Sequence, residues 1–403
     1  MRMNILRAIL SLLIIVVLNC DSKTPDTVKV KTGAEVLIAH HLDELHGQKV
    51  GLVMNPTARI GDVHVLDTLM SKGVNITALF APEHGFRGNY SDGERIENGI
   101  DIQSGLPVFS LYGDTKKPTT SMLSEVDIIL FDMQDVGARF YTYNTTLKNV
   151  IEAAAENDKE VWILDRPNPA GGNYVSGWVL EDEFESMVGS HPIPIAHGMT
   201  LGELALMGIG EDWYNFSDKA SVKVIKMEGW KREMRWPETG LKWIPPSPNL
   251  PTFEHAYVYL GTCFFEGVSI SEGRGTENPF LTIGGPNLEI PLQTINELVQ
   301  MYHVQIDSIS FIPRSIPGKS LYPKFEGKKL NGFTIKTTPE FDKPVEFGLS
   351  LLHALRVSNP QITQREHLYL LAGTKQVDSY SPEFDWGLEF QAFIESRKKY
   401  LLY

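Results

Sequence analysis

The first half of the chain alternates between runs of apolar residues and stretches in which apolar residues recur at helical spacing. The helical spacing covers residues 62–72, where Asp62 is the predicted N-cap, and residues 145–156, and a short helix is predicted near 119–125. Five further runs are apolar almost throughout, which is typical of strands buried on both faces of a sheet. These runs cover residues 49–55, 76–81, 108–112, 127–132 and 160–165. Strands and helices in this alternation predict a parallel sheet with helices on its faces.

The pattern changes near residue 256. One helix with an apolar face follows Pro344, and the rest consists of short strand-like runs separated by loops that contain Gly and Pro. The runs cover residues 256–260, 264–270, 309–312 and 333–337. The predicted fold class is therefore α/β, with a Rossmann-like parallel-sheet domain over 34–255. A smaller α+β C-terminal domain over 256–403 is expected to contribute to the cleft.

The N-terminal residues 1–20 have the layout of a signal peptide, with Arg2 and Arg7 before an apolar run that ends near Cys20. The run is too short to cross a bilayer core of about 30 Å. The cysteine at its end resembles the lipidated residue of a bacterial lipoprotein signal, although an ordinary signal peptide or an uncleaved anchor would share most of this layout. Residues 21–33 are polar and predict a flexible tether. We therefore expect a chain that is lipid-anchored at Cys20 in the cell envelope, on the periplasmic or outer-membrane face, and Cys263 is then a buried free thiol.

Composition and motifs exclude several classes of function. The chain has 37 Lys and Arg against 50 Asp and Glu and a formal net charge of −13, so it lacks the basic surface that non-specific nucleic-acid binding needs. Two cysteines exclude a disulfide scaffold and a cysteine-rich metal site. The sequence also lacks a G-x-G-x-x-G after its first strand, a phosphate-binding G-x-x-x-x-G-K-[ST], an H-E-x-x-H and a G-x-S-x-G. We predict no cofactor and no metal, and the sequence does not indicate an oligomeric state.

Polar residues gather directly after three of the predicted strands. Ligands of open parallel sheets bind outside the carboxyl ends of the strands, so these loops are expected to converge on one crevice, although a single Asp at a strand end is often only a cap or a turn former. A fourth polar cluster, over 268–280, is expected either to lean over the crevice from the C-terminal domain or to be a solvated loop. The candidate residues are Glu83, His84, Arg87, Asp132, Gln134, Asp135, Arg139, Tyr141, Tyr143, Asp165, Arg166, Asn168, Glu272 and Arg274.

These residue types suit general acid catalysis on a polar, anionic substrate. A positioned carboxyl can donate a proton to a leaving group, and an arginine can bind a substrate carboxylate through two parallel hydrogen bonds. Tyrosines offer a flat apolar face for a sugar ring and a hydroxyl at its edge.

Five motifs in the same region are similar to those of one bacterial family, the peptidoglycan exo-β-N-acetylmuramidases, which were long classed as a domain of unknown function. The motifs lie between residues 82 and 280 and read PEHGFRG, FDMQDVGARFYTY, DRPNPAGG, PSPNLPT and SEGRGTENPF. The resemblance implies a Rossmann-like N-terminal domain, a smaller C-terminal domain and release of N-acetylmuramic acid from the non-reducing ends of cell-wall glycan fragments. It also implies that Glu83 is the key catalytic glutamate.

The second catalytic group is less constrained. Glycosidases usually pair two carboxylates, and Asp132 is the predicted partner of Glu83, with Asp135 as another candidate. No second catalytic carboxylate is needed if the substrate's N-acetyl group acts as the nucleophile; a carboxylate or Tyr141 would then only orient that group. The other candidates are predicted to bind substrate, and Arg87, Arg139 and Arg274 compete for its lactyl carboxylate, although Arg139 has an alternative role as an ion-pair partner of Asp132 or Asp135. The alternative functions are a muropeptide- or sugar-binding lipoprotein without catalysis and a metal-dependent hydrolase.

Overall fold

A seven-stranded sheet forms the centre of the first half of the chain in the computed structural model, which describes residues 29–87 and 97–403. Cys20 and the rest of the predicted signal segment lie outside the described residues. The strands of the first half are β1 (Val50–Met54), β2 (Arg59–Ile60), β3 (Val63–His64), β4 (Ile76–Ala81), β5 (Gly99–Ile100), β6 (Pro107–Ser110), β7 (Ile128–Asp132), β8 (Glu160–Leu164) and β9 (Ser221–Ile225).

The central sheet has the order β5-β6-β4-β1-β7-β8-β9. All its neighbouring strands are parallel except β5 and β6, which are antiparallel. Strands β2 and β3 form a separate antiparallel hairpin. The chain moves to one side of β1 for β4 and to the other side for β7, so the strand order reverses beside β1, where ligands of such sheets bind. The fold class predicted for the first half is confirmed.

Helices of the first half pack on both sides of this sheet, and further helices lie in the second half of the chain. They are α1 (Gly33–Val36), α2 (Val65–Ser71), α3 (Thr120–Leu123), α4 (Tyr143–Glu156), α5 (Leu201–Gly210), α6 (Phe253–Thr262), α7 (Leu292–Tyr302), α8 (Pro344–Ser358), α9 (His367–Ala372) and α10 (Leu388–Ser396). A π-helical turn follows α1 (Leu37–His41), and the 3-10 turns cover Leu42–Leu45, Asp182–Phe184, Ser217–Lys219, Trp236–Thr239, Cys263–Gly267, Lys375–Ser379 and Arg397–Tyr400.

The five predicted strands are confirmed as β1, β4, β6, β7 and β8, and the three predicted helices are confirmed as α2, α3 and α4. The predicted N-cap Asp62 is wrong, because Asp62 lies between β2 and β3 and the helix begins only at Val65. His64 is the N-cap, and its Nδ1 accepts a hydrogen bond from the backbone N–H of Leu66 at 3.2 Å. Apolar residues of this short hairpin fit the helical spacing, so the sequence pattern places the start of the helix too early.

In the second half, the predicted strands at 256–260 and 264–270 are wrong, because these residues belong to α6 and to the turn Cys263–Gly267. Residues 255–265 are all buried, and a helix that is apolar on every side has no period that distinguishes it from a buried strand. The predicted strand at 333–337 is confirmed within β12 (Leu330–Thr337), the one at 309–312 overlaps the end of β11 (Val304–Phe311), and the helix after Pro344 is confirmed as α8. Together with β10 (Thr282–Gly285) the two strands form a three-stranded antiparallel sheet in the order β10-β12-β11.

A pair of glycines sets the position of the turn Cys263–Gly267. A Cβ atom on Gly261 of α6 would lie 1.9 Å from the carbonyl oxygen of Pro344, and one on Gly348 of α8 would lie 2.2 Å from the backbone of Gly261. The two helices therefore cross with their backbones in contact, which larger residues would prevent. This contact places Glu266, in the turn after α6, at the boundary with the first half. Cys263 is buried and free, as predicted.

The predicted tether extends too far along the sequence, because residues 29–33 are already packed in the fold. Val30 is fully buried, and Lys31 pairs with Glu228 at 2.6 Å. Thr32 caps α1 in a reciprocal arrangement with Glu35.

Among residues 29–87 and 97–403, the longest apolar helices fall short of what a bilayer crossing requires.

Candidate active site

A cavity of about 550 Å³ lies between the strand ends of the central sheet and the second half of the chain. Of the residues proposed from the sequence, the structure brings Glu83, His84, Tyr141 and Arg274 to its wall. Residues that the sequence interpretation did not single out supply the rest of the lining. They are Tyr112, Gly113, Lys116, Phe140, Thr142, Met187, Val188, Ser247, Leu250, Tyr259, Glu266, Phe280, His367 and Leu371.

A sharp turn after β4 directs Glu83 into the cavity. His84 and Gly85 both adopt left-handed backbone conformations, with φ of 70° and 80°, and the N–H of Gly85 donates to the carbonyl of Pro82 at 3.0 Å. A non-glycine residue at positive φ is strained, and such residues cluster at functional sites. The half-buried Glu83 accepts a hydrogen bond from the Thr142 hydroxyl at 2.9 Å. Thr142 is also the N-cap residue of α4, and its side chain makes no capping hydrogen bond to that helix.

His84 lies beside Glu83 as a buried imidazole. Burial lowers the pKa of His84 from its ordinary value, against a smaller opposing effect of the Glu83 charge. His84 therefore contributes an uncharged ring to the cavity wall at neutral pH and does not neutralise Glu83.

Aromatic rings form one side of the cavity. Tyr259 packs edge-on against Phe140 at 5.3 Å, Tyr141 at 6.2 Å and Phe280 at 4.7 Å between ring centroids. Phe280, like His84, has a left-handed backbone, with φ of 65°. Such fixed rings offer the flat apolar faces on which sugar rings stack.

A second carboxylate, Glu266, lies on the wall supplied by the second half of the chain. Its Oε1 accepts hydrogen bonds from Arg274 Nε at 3.0 Å and Nη2 at 2.6 Å, and His367 Nε2 lies 3.8 Å from its Oε2. Although burial by itself raises the pKa of Glu266, the charge of Arg274, the hydrogen bonds from Arg274 and the nearby His367 outweigh it and lower the pKa to about 2. Glu266 is therefore ionised over the physiological range, and Arg274 is committed to holding it.

Asp132, the predicted partner of Glu83, does not line the cavity. Its side chain is completely buried at the end of β7, and Arg166 donates to both of its oxygens, with Nη2 at 3.0 Å from Oδ2. Burial raises the pKa of Asp132, while the charge and hydrogen bonds of Arg166 oppose this effect. Both groups are thus used in a buried ion pair that ties β7 to the loop after β8.

The remaining polar candidates of the first half hold the strand-end loops together beneath the cavity. Asp135 accepts from the N–H of Gly137 at 2.7 Å and lies 3.4 Å from His197 Nε2. Tyr143 donates to the Pro246 carbonyl at 2.7 Å. The other members, Gln134, Asp165 and Asn168, are buried and hydrogen-bonded to neighbouring loops, with Asp165 bound by Thr200, Gly202 and Tyr403.

The arginines outside the cavity are also occupied. Arg139 is fully buried and donates to the carbonyls of Trp178, Ile193 and Leu371, and burial lowers its pKa to about 9. Its predicted ion pair with Asp132 or Asp135 is therefore wrong. Arg87 pairs with Asp101 at 2.7 Å and with Asp67 at 3.1 Å, away from the cavity.

Glu272, the last of the candidates, is a supporting residue of the second half. It is buried, with Lys324 Nζ at 3.0 Å and Arg274 Nε at 3.8 Å, and so it supports the loop that carries Arg274. In the part of the chain that the structure describes, no group of three or more His, Cys, Asp or Glu side chains is arranged to hold a metal ion. The cavity thus combines two carboxyl groups in different environments with an aromatic wall.

Comparisons with known proteins match both halves of the chain to the same kind of protein. A family model for the N-terminal part of the exo-beta-N-acetylmuramidase NamZ matches residues 50–254, and a model for its C-terminal part matches residues 257–403. The chain is 40% identical over 404 residues to the peptidoglycan beta-N-acetylmuramidase NamZ of Bacillus subtilis (strain 168), and the alignment covers 95% of this chain and 94% of that protein.

Two crystal structures of DUF1343 family proteins from Bacteroides fragilis NCTC 9343 have the same fold. They share 35% and 32% sequence identity with this chain, with TM-scores of 0.77 and 0.80. Each alignment covers 93% of this chain and 99% of the other. The similarity therefore extends over both halves of the fold and over the cavity between them.

Proposed function

This chain belongs to the exo-β-N-acetylmuramidase family, and on that premise we propose that Glu83 is the general acid with which it removes terminal N-acetylmuramic acid from glycan chains. The chain is a glycosidase that acts on peptidoglycan. The observation that supports the assignment of Glu83 is the contrast between the two carboxyl groups of the cavity. Arg274 holds Glu266 as an anion, whereas Glu83 receives a hydrogen bond from the neutral hydroxyl of Thr142.

Glu83 is suited to donate a proton. It receives one hydrogen bond, from Thr142, and forms no ion pair with any side chain of residues 29–87 or 97–403. Its proton would pass to the glycosidic oxygen as the bond from that oxygen to the anomeric carbon breaks, and the leaving glycan would depart as an alcohol. Water would then supply a hydroxyl group to the anomeric carbon and return a proton to Glu83.

Glu266 is suited to remain charged. Its ion pair with Arg274 fixes a negative carboxylate on the wall supplied by the second half, where it can stabilise the positive charge that develops at the anomeric carbon or orient the substrate's acetamide. Asp132 and Asp135 lack this access, because both are buried below the cavity. We therefore propose Glu266 in place of Asp132 as the second carboxylate beside the sugar.

The substrate assay uses the full chain and a chromogenic β-glycoside of N-acetylmuramic acid. We expect release of the chromophore, and we expect N-acetylmuramic acid to be the first product from glycan fragments that carry it at the non-reducing end. A sugar-binding lipoprotein would bind the glycoside and release no chromophore, and a metal-dependent hydrolase would lose activity with a chelator. Either result would contradict the proposed reaction.

We also propose that a lipid on Cys20 anchors the chain in the cell envelope, on the periplasmic or outer-membrane face. The apolar run that ends near Cys20 and the polar segment after it support this proposal. In the producing cell, Cys20→Ser is expected to move the protein from the membrane fraction to the soluble fraction. Cys263→Ala is the matched control, because that thiol is buried and inaccessible to modification. Retention of the Cys20→Ser protein in the membrane fraction would refute the anchor.

A further inference from the structure

An anionic sugar needs a cation in the cavity, and the arginines that the sequence favours for this role are occupied. Arg87 pairs with Asp67 and Asp101, and Arg139 is bound by backbone carbonyls. Arg274 reaches the cavity, but Glu266 accepts two of its hydrogen bonds. The charge of Arg274 is therefore offset by Glu266 before any substrate binds.

Lys116 is the remaining cationic side chain among the described residues of the wall. It is exposed, and across the residues that the structure describes neither a hydrogen bond nor an ion pair holds its ammonium group. Tyr112 and Gly113, from the same segment, line the cavity as well. Lys116 thus lies where solvent meets the cavity, with a charge that is available to a ligand.

The backbone of this segment is fixed although the Lys116 side chain is not. Asn149 of α4 donates to the carbonyl oxygen of Lys116 at 3.1 Å. The next residue, Lys117, is anchored to the same helix through Glu156 at 2.8 Å and Glu152 at 3.4 Å. The start of the Lys116 side chain is therefore held at the cavity edge, so that ordering its ammonium group on a ligand costs only side-chain freedom.

We propose that Lys116 binds the lactyl carboxylate of N-acetylmuramic acid and thereby makes the cavity selective for this sugar over N-acetylglucosamine, an inference that rests on the proposed function. The two sugars differ in the lactyl group, which carries the only negative charge on the monosaccharide. Without Lys116, the charged groups of the described wall would be Glu83, Glu266 and Arg274, which would disfavour an anion whenever Glu83 is ionised. The positive charge of the Lys116 ammonium group offsets this negative charge of the wall.

The test compares Lys116→Met with wild type on two chromogenic muramides, one with a free lactyl carboxylate and one with a neutral lactyl amide. Removal of a hydrogen bond to a charged group predicts a decrease of about 10- to 100-fold in kcat/KM on the free acid, mainly through KM. We expect little change on the amide. Lys336→Met is the control, because Lys336 is an exposed lysine that pairs with Asp307 and does not line the cavity. An unchanged KM for the acid, or an equal loss on both substrates, would overturn the proposal.

Calorimetry with free N-acetylmuramic acid separates this proposal from the proposed reaction. If the wild type hydrolyses neither muramide, the proposed reaction fails, and the role of Lys116 is then judged by binding alone. A Kd about 10- to 100-fold weaker for Lys116→Met than for wild type, with no such difference for N-acetylglucosamine, supports the carboxylate site. Equal Kd values in the two proteins, or no binding to either, overturn it.

Discussion

Glu83→Gln is expected to lower kcat on a chromogenic muramide by about 10²- to 10⁴-fold, the usual contribution of a positioned general acid. The glutamine side chain has the same size and can still accept the hydrogen bond from Thr142, so the free energy of unfolding should change by no more than about 0.5 kcal/mol. The measurement is steady-state kinetics together with urea unfolding of the same preparations.

The matched control for this substitution is Glu183→Gln. Glu183 is an exposed carboxylate that faces Lys375 at 3.6 Å, outside the cavity. An exposed pair of this kind contributes little to stability. The activity of Glu183→Gln and its free energy of unfolding should therefore remain as in wild type. Turnover by Glu83→Gln within a few-fold of wild type would show that Glu83 is not the acid.

Asp132→Asn is expected to lower the free energy of unfolding by about 3–5 kcal/mol, because it leaves the Arg166 charge buried without its counter-charge. An amide nitrogen would also face the guanidinium that now donates to both carboxylate oxygens. The remaining folded protein should turn over substrate at close to the wild-type rate, since Asp132 does not line the cavity. Urea unfolding and kcat per folded molecule test the two expectations separately.

Asp307→Asn provides the comparison for this second prediction. Asp307 pairs with Lys336 at 3.2 Å, and both side chains are 61% exposed, so its loss should cost at most about 1 kcal/mol. If Asp132→Asn were as stable as this control and yet inactive, Asp132 would be a catalytic residue and the role given to Glu266 would need revision.

The strand-end rule explains how far the sequence can predict the site. It places Glu83, His84 and Tyr141 near one crevice because their loops follow parallel strands, and the structure brings these three to the cavity. The rule does not indicate which way each side chain points. Asp132 is the last residue of its strand and is enclosed by the neighbouring loop that carries Arg166, whereas Glu83 is turned outward by the left-handed residue after it.

The sequence does not predict that Glu266 and Lys116 line the cavity, and the physical reasons differ between the two residues. Glu266 lies inside the run 264–270, whose apolar pattern predicts a strand, so nothing in the sequence indicates that its carboxyl group faces the cavity. Lys116 lies in a polar segment whose position depends on contacts with α4 that are 33 to 39 residues distant in sequence. Neither the local hydrophobic pattern nor the spacing of motifs along the sequence indicates contacts between residues so far apart.

The position of a bound muramide in Glu83→Gln tests the central claim most directly. A crystal structure of this variant with a β-glycoside of N-acetylmuramic acid should show the glycosidic oxygen within about 3 Å of the side-chain amide introduced at position 83. The Glu266 carboxylate should lie beside the anomeric carbon or the acetamide, with the rings of Tyr259 and Phe280 along the sugar. A sugar bound with its glycosidic oxygen away from position 83, or outside this cavity, would contradict the account.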